Sequence, residues 1–141
     1  MARIISIDYG QKRSGLAVTD PLQLIAGGLA TVSTSSLFTF LRDYVGQNSV
    51  ERIVIGEPRQ TNGMPSENMQ RVSQFVAKWR KAMPDVPIEY FDERFTSVLA
   101  HRAMIDAGLR KKARQNKALV DEISATIILE DYLRSRSVQA R

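Results

Sequence analysis

The sequence predicts an α/β protein in which helices cover the faces of a mixed β-sheet. Three short segments rich in β-branched residues open the chain with no helical pattern between the first two, and two later apolar segments are each followed by a helical pattern. An antiparallel start that passes into strand–helix units is typical of mixed sheets. This order argues against the classical dinucleotide-binding fold, because there the glycine-rich turn after the first strand leads into a helix.

The first three predicted strands form an antiparallel meander. Residues 3–8 and 14–19 flank the polar stretch GQKR, which we interpret as a hairpin turn. A third extended segment covers residues 24–33, and its Gly27-Gly28 pair predicts a bulge or a bend. Each of these strands is therefore expected to pair with the one before it.

A helix, a buried strand and a loop follow the meander. Ser35 or Ser36 can cap the helix. Its apolar face comprises Leu37, Phe40, Leu41 and Tyr44. Residues 53–55 are apolar without alternation, which is typical of a strand covered on both faces. Residues 57–65 are rich in chain-breaking residues and predict a loop.

The clearest helical pattern begins at Ser66. Its apolar positions recur every three or four residues, at Met69, Val72, Val76, Trp79 and Met83. A strand over residues 86–91 and a helix over residues 96–108 follow, and a glycine ends that helix. A final helix is predicted over residues 118–134.

The composition sets the size of the fold and excludes several kinds of chemistry. At 141 residues the chain has the size of one domain, so we assign residues 1–141 to a single unit. The absence of cysteine excludes disulfides, thiolate metal sites and cysteine nucleophiles. The single histidine, His101, excludes a His-rich zinc site. No signal peptide or membrane-length apolar run is present, so we expect a soluble cytoplasmic protein.

Positive charge is concentrated in the C-terminal part of the chain. The net charge is +5: residues 1–101 hold eleven Lys and Arg against ten Asp and Glu, and residues 102–141 hold nine against five. Five of the eight positions from Arg110 to Lys117 are basic. Such a run can be a solvated loop. If it lies beside the carboxylates described next, however, it is where a phosphate backbone would be held. The residues of this run expected to bind nucleic acid are Arg110, Lys111, Lys112 and Arg114.

Carboxylates stand at the ends of several apolar segments. Asp8 ends the first strand, Glu57 ends the strand that begins at Ile53, and Asp121 lies near the start of the final helix. Asp92 and Glu93 end the strand before the 96–108 helix. Such strand ends gather at one edge of a sheet that has parallel β–α connections. Clustered carboxylates repel each other unless a cation neutralises them, and Mg²⁺ or Mn²⁺ prefers oxygen ligands.

Asp121 is the most informative of these carboxylates. Ala125 and Ile128 lie one and two turns further along, so its helical face is otherwise apolar and directed toward the sheet. Glu122 points about 100° away and is expected in solvent. Each carboxylate could also have a structural role, as a turn cap, a charge at a helix N-terminus or, for Glu57, a loop residue. If these carboxylates instead hold one or two metal ions, the ions would activate water and stabilise the leaving oxygen of a phosphodiester.

Four segments of the chain resemble the ordered motifs of a known family. They read IDYGQKRSGLAVTD, IGEPRQTNG, FDERFTS and KALVDEISATIIL. In this order and spacing they resemble the YqgF family, the Holliday-junction-resolvase-like pre-16S rRNA nucleases of bacteria. The resemblance covers nearly the whole chain. It implies a ribonuclease-H-like fold, a cytoplasmic location and a role in maturing the 5′ end of 16S rRNA.

The resemblance also implies an acidic catalytic site formed by Asp8, Glu93 and Asp121. By the same match, Lys12, Arg94 and Lys117 would lie beside it, and we expect these three residues and Arg13 to bind nucleic acid. The family usually has an apolar residue where this chain has Glu57. Asp92 competes with Glu93 for the role at the strand end, because neighbouring strand residues point to opposite faces. Glu57 or Asp92 could therefore also be a metal ligand.

Three alternatives to an RNA nuclease stay open. A Holliday-junction resolvase would cut branched DNA, and an assembly factor would bind nucleic acid without cutting it. The glycine turn after the first strand also resembles the phosphate loop of actin-like ATPases and sugar kinases, but those need two lobes and this chain provides one domain. The expected partner is therefore structured RNA or branched DNA, with no membrane, and the chain is expected to be a monomer or a weak homodimer.

Overall fold

A five-stranded mixed sheet lies at the centre of the protein. The computed structural model describes residues 2–57, 68–92 and 117–139. The strands are β1 (Arg3–Asp8), β2 (Arg13–Thr19), β3 (Ala26–Ser33), β4 (Val50–Glu57) and β5 (Ile88–Asp92). They lie in the order β3-β2-β1-β4-β5, with β2 antiparallel to β1 and β3, and with β4 parallel to β1 and β5. The mixed sheet predicted from the sequence is confirmed.

Helices cover this sheet on both faces. Those of the described segments are α1 (Leu37–Gln47), which follows a 3₁₀ turn at Thr34–Ser36, α2 (Met69–Ala82) and α3 (Lys117–Gln139). None of them has the length and apolar character that crossing a bilayer would need. The helix predicted over residues 96–108 lies outside the described residues. So do the basic residues Arg110, Lys111, Lys112 and Arg114.

The start of β3 differs from the sequence expectation. The strand begins at Ala26 instead of residue 24, because the Asp20 carboxylate accepts three backbone hydrogen bonds and extends the turn after β2. The donor amides belong to Leu22, Leu24 and Ile25. The bulge predicted at Gly27-Gly28 lies at the next residue, Leu29, where the β2–β3 ladder shifts register between Leu16 and Ala17.

The sheet separates two hydrophobic clusters, because side chains alternate between its faces along each strand. Helices α1 and α2 cover one face, here called the α1/α2 face. Its core includes Ile5, Ile7, Leu16, Ile53, Ile55, Leu41, Val76 and Trp79. Helix α3 covers the other, here called the α3 face. Its core comprises Ile4, Ala17, Val54, Ala125, Ile128, Leu129 and Tyr132.

The main chain of helix α3 is in close contact with strands β1 and β2. The buried Ser6 hydroxyl on β1 donates a 2.6 Å hydrogen bond to the carbonyl of Ala125. On β2, a Cβ atom added to Gly15 would overlap the main-chain carbonyl of Asp121. Glycine is therefore required at this point of the sheet by the close approach of two backbones. The contact fixes the position of Asp121 along and above β2.

The strand ends that carry the predicted carboxylates share one edge of the sheet. Ile7 of β1 pairs with Ile55 of β4, and Glu57 of β4 pairs with Asp92 of β5. The parallel strands β1, β4 and β5 consequently end side by side. Because β2 is antiparallel, its first residue, Arg13, lies at the same edge. In α/β sheets ligands bind at this carboxyl edge.

Candidate functional site

Asp8 and Asp121 are brought to the same corner of the sheet. Asp8 pairs across the β1–β2 ladder with Gly15, the residue on which the main chain of Asp121 packs. Partners in an antiparallel ladder have Cα atoms about 5 Å apart. Asp8 also follows Ile4 and Ser6 in the strand alternation, and both of these face α3. Two of the predicted catalytic carboxylates thus lie on one face, at one edge.

Arg13 forms an ion pair with Asp121 at this corner. The Nε atom of Arg13 donates to Oδ2 of Asp121, and the two side chains are 41% and 21% exposed. The pair is therefore only partly open to solvent. The sequence predicts Arg13 as a nucleic-acid ligand, whereas in the structure its guanidinium contacts a carboxylate of the acidic site.

The pairing of Arg13 with Asp121 is a site feature that sequence reasoning missed. The two residues are 108 positions apart, so no local spacing links them. A weak signal is present in β2, where Gly15 and Ala17 alternate with larger residues. Small residues at every second position indicate a strand face approached closely by another element. Arg13 belongs to that same face by alternation.

Hydroxyl groups hold the turn between β1 and β2. Thr34 Oγ1 donates a 2.7 Å hydrogen bond to the carbonyl of Gly10 and lies 2.9 Å from Ser14 Oγ, while the Thr34 amide donates to the carbonyl of Lys12 at 3.0 Å. The Gly10 amide in turn donates to Ser14 Oγ at 3.3 Å. A Cβ atom on Gly10 would overlap the carbonyl of Arg13. The turn that presents the exposed Lys12 and the first residue of β2 is therefore tightly constrained.

Asn68 fixes the main chain directly after Asp8. Its Nδ2 atom donates a 3.0 Å hydrogen bond to the carbonyl of Tyr9, whose ring packs against Phe75 with centroids 5.7 Å apart. Among the residues that the structure describes, none donates a hydrogen bond to the buried Oδ1 atom of Asn68. Burial raises the pKa of Tyr9 above its usual value of 10.0, with Arg71 opposing the shift. Sequence reasoning found neither Asn68 nor Tyr9.

Glu57 is separated from the Asp8–Asp121 corner by the sheet. It follows Ile53 and Ile55 in the alternation of β4, and both of these belong to the core of the α1/α2 face. Burial is the main cause that raises the pKa of Tyr90 above 10.0, and the negative charge of Glu57 adds to this effect while Arg80 opposes it. Glu57 is therefore close to Tyr90 on the α1/α2 face.

Several predicted site residues lie wholly or partly outside the described residues. The backbone of Asp92 pairs in the β4–β5 ladder, and that of Lys117 begins α3, but their side chains lie outside the described residues. The residues wholly outside the described segments are Glu93, Arg94, Arg110, Lys111, Lys112 and Arg114. Within residues 2–57, 68–92 and 117–139, no three carboxylate or histidine side chains are grouped so that they could hold a metal ion.

Comparison with known proteins gives matches over nearly the whole chain. The RuvX family model, described as "Holliday junction resolvase", matches residues 2–135. A curated relative from Bacteroides fragilis is 61% identical over 136 residues, covering 96% of this chain and 99% of its own. Relatives from Flavobacterium psychrophilum (56% over 133 residues; 94% and 97% covered) and Parabacteroides distasonis (53% over 139 residues; 99% of each) are also similar. All three carry the name "Putative pre-16S rRNA nuclease".

Proposed function

Because the chain belongs to the RuvX (YqgF) family, we propose that it is a divalent-metal-dependent nuclease that processes the 5′ end of pre-16S rRNA. The observation that carries the proposal is the shared corner of Asp8 and Asp121, which Gly15 links. Two carboxylates on one face of the carboxyl edge are the start of an acidic nuclease site. The names of the relatives support pre-16S rRNA as the substrate, and we propose ribosome biogenesis in the cytoplasm as the setting.

The donor atoms available at this corner fit a hard divalent cation. Carboxylate oxygens are the preferred ligands of Mg²⁺ and Mn²⁺, and Asp8 and Asp121 contribute them from two different elements. We propose Glu93 as the third ligand. Glu89 and Phe91 of β5 lie on the α3 face, where they contact Tyr132, and position 93 has the same parity. When bound, the ion would activate water and stabilise the leaving oxygen.

The residues around the acidic corner would bind the phosphate backbone. Lys12 is exposed on the constrained turn after β1, so its ammonium group can meet a phosphate without a large loss of loop entropy. Lys117 begins the helix that carries Asp121. The further basic residues proposed for this role are Arg94, Arg110, Lys111, Lys112 and Arg114. Such contacts position the nucleic acid without reading its sequence.

The proposal is tested by Asp8→Asn. Asparagine keeps the size of the side chain but removes the charge that would hold the cation, so cleavage should fall by about 100-fold or more. Binding of the nucleic acid should be retained or slightly tighter, because one negative charge near the phosphates is lost. Asp43→Asn is the matched control, since Asp43 lies on α1 with its side chain 61% exposed and 3.8 Å from Arg42.

The assay uses 5′-extended 16S precursor, a four-way DNA junction and single strands, each with Mg²⁺ or Mn²⁺. Wild-type protein and Asp43→Asn should cut the precursor, whereas Asp8→Asn should bind it without cutting. The description of the matching family as a Holliday junction resolvase favours one second candidate, a DNA resolvase, which would instead make paired nicks in the junction. A wild-type protein that binds these substrates but cuts none of them would contradict the nuclease proposal. Hydrolysis of ATP without nucleic acid would indicate the ATPase alternative.

A further inference from the structure

The guanidinium of Arg13 contacts a carboxylate that a metal ion of the proposed nuclease site would also bind. The contact is with Oδ2 of Asp121, one of the two carboxylates at the acidic corner. A partly buried carboxylate is stabilised by a positive partner, because burying a charge without one is costly. Arg13 supplies that partner from the chain itself.

The fold holds the backbones of both Arg13 and Asp121 in position for this ion pair. Arg13 is the first residue of β2 and follows a turn that Thr34 and Ser14 hold by hydrogen bonds. Asp121 is held by the packing of its own main chain against Gly15. Exposed ion pairs between long mobile side chains are usually weak. Here the positions of both backbones are already determined, so less side-chain freedom is lost when the pair forms.

We propose that Arg13 is an internal counter-cation of the acidic corner, which competes with the divalent cation for Asp121. The proposal rests on the proposed metal-dependent function of this corner. A guanidinium in contact with Asp121 repels a second positive charge brought to the same carboxylate. Arg13 therefore lowers the affinity of the corner for divalent ions and stabilises the fold when they are scarce. Without a divalent ion, Arg13 is engaged with Asp121 and does not contact a phosphate.

The first test measures Mn²⁺ affinity by titration calorimetry on the full chain without nucleic acid. Arg13→Gln should bind Mn²⁺ about ten-fold more tightly than the wild type, equivalent to about 1.4 kcal/mol. In EDTA its thermal midpoint should be lower than that of the wild type, and saturating Mn²⁺ should restore it. Arg42→Gln is the matched control, because Arg42 and its neighbour Asp43 are both more than half exposed; neither quantity should change.

A second test measures binding to RNA in EDTA, where no cleavage occurs. Replacing a residue that contacts a phosphate reduces the slope of log affinity against log salt by about 0.7 to 0.9. Lys12→Gln should show this reduction, whereas Arg13→Gln should leave the slope unchanged. The two residues are neighbours on one turn, so the comparison separates their roles directly. An equal reduction in both variants would overturn the proposal.

The remaining outcomes separate this inference from the function on which it rests. A folded Arg13→Gln that binds Mn²⁺ with wild-type or weaker affinity overturns the competition and leaves the proposed nuclease intact. A wild-type chain that binds no Mn²⁺, or that binds it no more tightly than Asp121→Asn does, overturns both the competition and the proposed metal-dependent nuclease. If Arg13→Gln does not fold, Arg13→Lys keeps the charge but loses the planar guanidinium. Arg13→Lys should then bind Mn²⁺ more tightly than the wild type, because an ammonium group does not reproduce the guanidinium contact with Asp121, and wild-type or weaker affinity contradicts the competition.

Discussion

Gly15→Ala would place a methyl group where the main-chain carbonyl of Asp121 lies. The backbone of Gly15 is not in the left-handed region, so the cost of this change is steric. Helix α3 would have to withdraw by about 1 Å to bring the new carbon and the carbonyl oxygen to contact distance. Overpacking of this kind costs about 1–3 kcal/mol. The 2.6 Å hydrogen bond from Ser6 to the carbonyl of Ala125 would also lengthen, which adds about 1 kcal/mol.

We therefore expect the free energy of unfolding to fall by about 2–4 kcal/mol, a large part of the total stability of a domain. The proposed cleavage should also fall, by up to about 100-fold, because Asp121 moves with its helix relative to Asp8. Urea unfolding followed by circular dichroism measures the first quantity, and single-turnover cleavage of the precursor measures the second.

Gly46→Ala is the matched control for this substitution. Apart from its chain neighbours and the backbone of its own helix, a Cβ atom at Gly46 of α1 meets no atom of the described residues within 4 Å. Alanine is also favoured over glycine in a helix by about 1 kcal/mol. The control should be as stable as the wild type or more stable. A Gly15→Ala protein that unfolds at the wild-type urea concentration would refute the close approach of α3 to β2.

Two further predictions concern groups away from the Asp8–Asp121 corner. Thr34→Val removes the hydroxyl that donates to the carbonyl of Gly10; it should cost about 1–3 kcal/mol in urea unfolding, whereas Thr39→Val on the exposed side of α1 should cost little. Burial, and then the hydrogen bond donated to Glu89, raises the pKa of Tyr132 above 10.0, so its contribution to stability is complete below that pH and is lost as the pH rises through the higher folded-state pKa. Tyr132→Phe should flatten this alkaline loss in unfolding curves taken across the phenolate titration, and an unchanged alkaline limb would count against the assignment.

Local patterns in the sequence are sufficient to predict the sheet. The apolar segments around GQKR give the β1–β2 hairpin, and the unbroken apolar run at residues 53–55 gives the strand covered on both faces. The late start of β3 has a local cause. Alternation alone starts β3 at residue 24, but the Asp20 carboxylate holds the next residues in a turn through backbone hydrogen bonds. Short polar side chains compete with strand pairing in this way.

The site is less accessible from sequence because its contacts join distant positions. Strand ends and the apolar face of α3 predict that Asp8 and Asp121 meet, and the structure brings them to one corner. The contact of Arg13 with Asp121 depends on the register between β2 and α3, which no local pattern determines. The face of Glu57 follows from alternation only once β4 is known to be regular to its last residue. The part played by Glu93 stays a prediction.

The acidic corner joins parts of the chain that a ribosome makes at very different times. The Ser6–Ala125 hydrogen bond spans 119 positions, and the Arg13–Asp121 ion pair spans 108. Contacts between such distant positions close large loops and form late in folding. Every described strand is synthesised before α3, so a growing chain can assemble the whole sheet while Asp8 still has no Asp121 beside it. A nascent chain in that state would lack Asp121 beside Asp8, so the proposed site would be incomplete while the chain is attached to the ribosome that is making it.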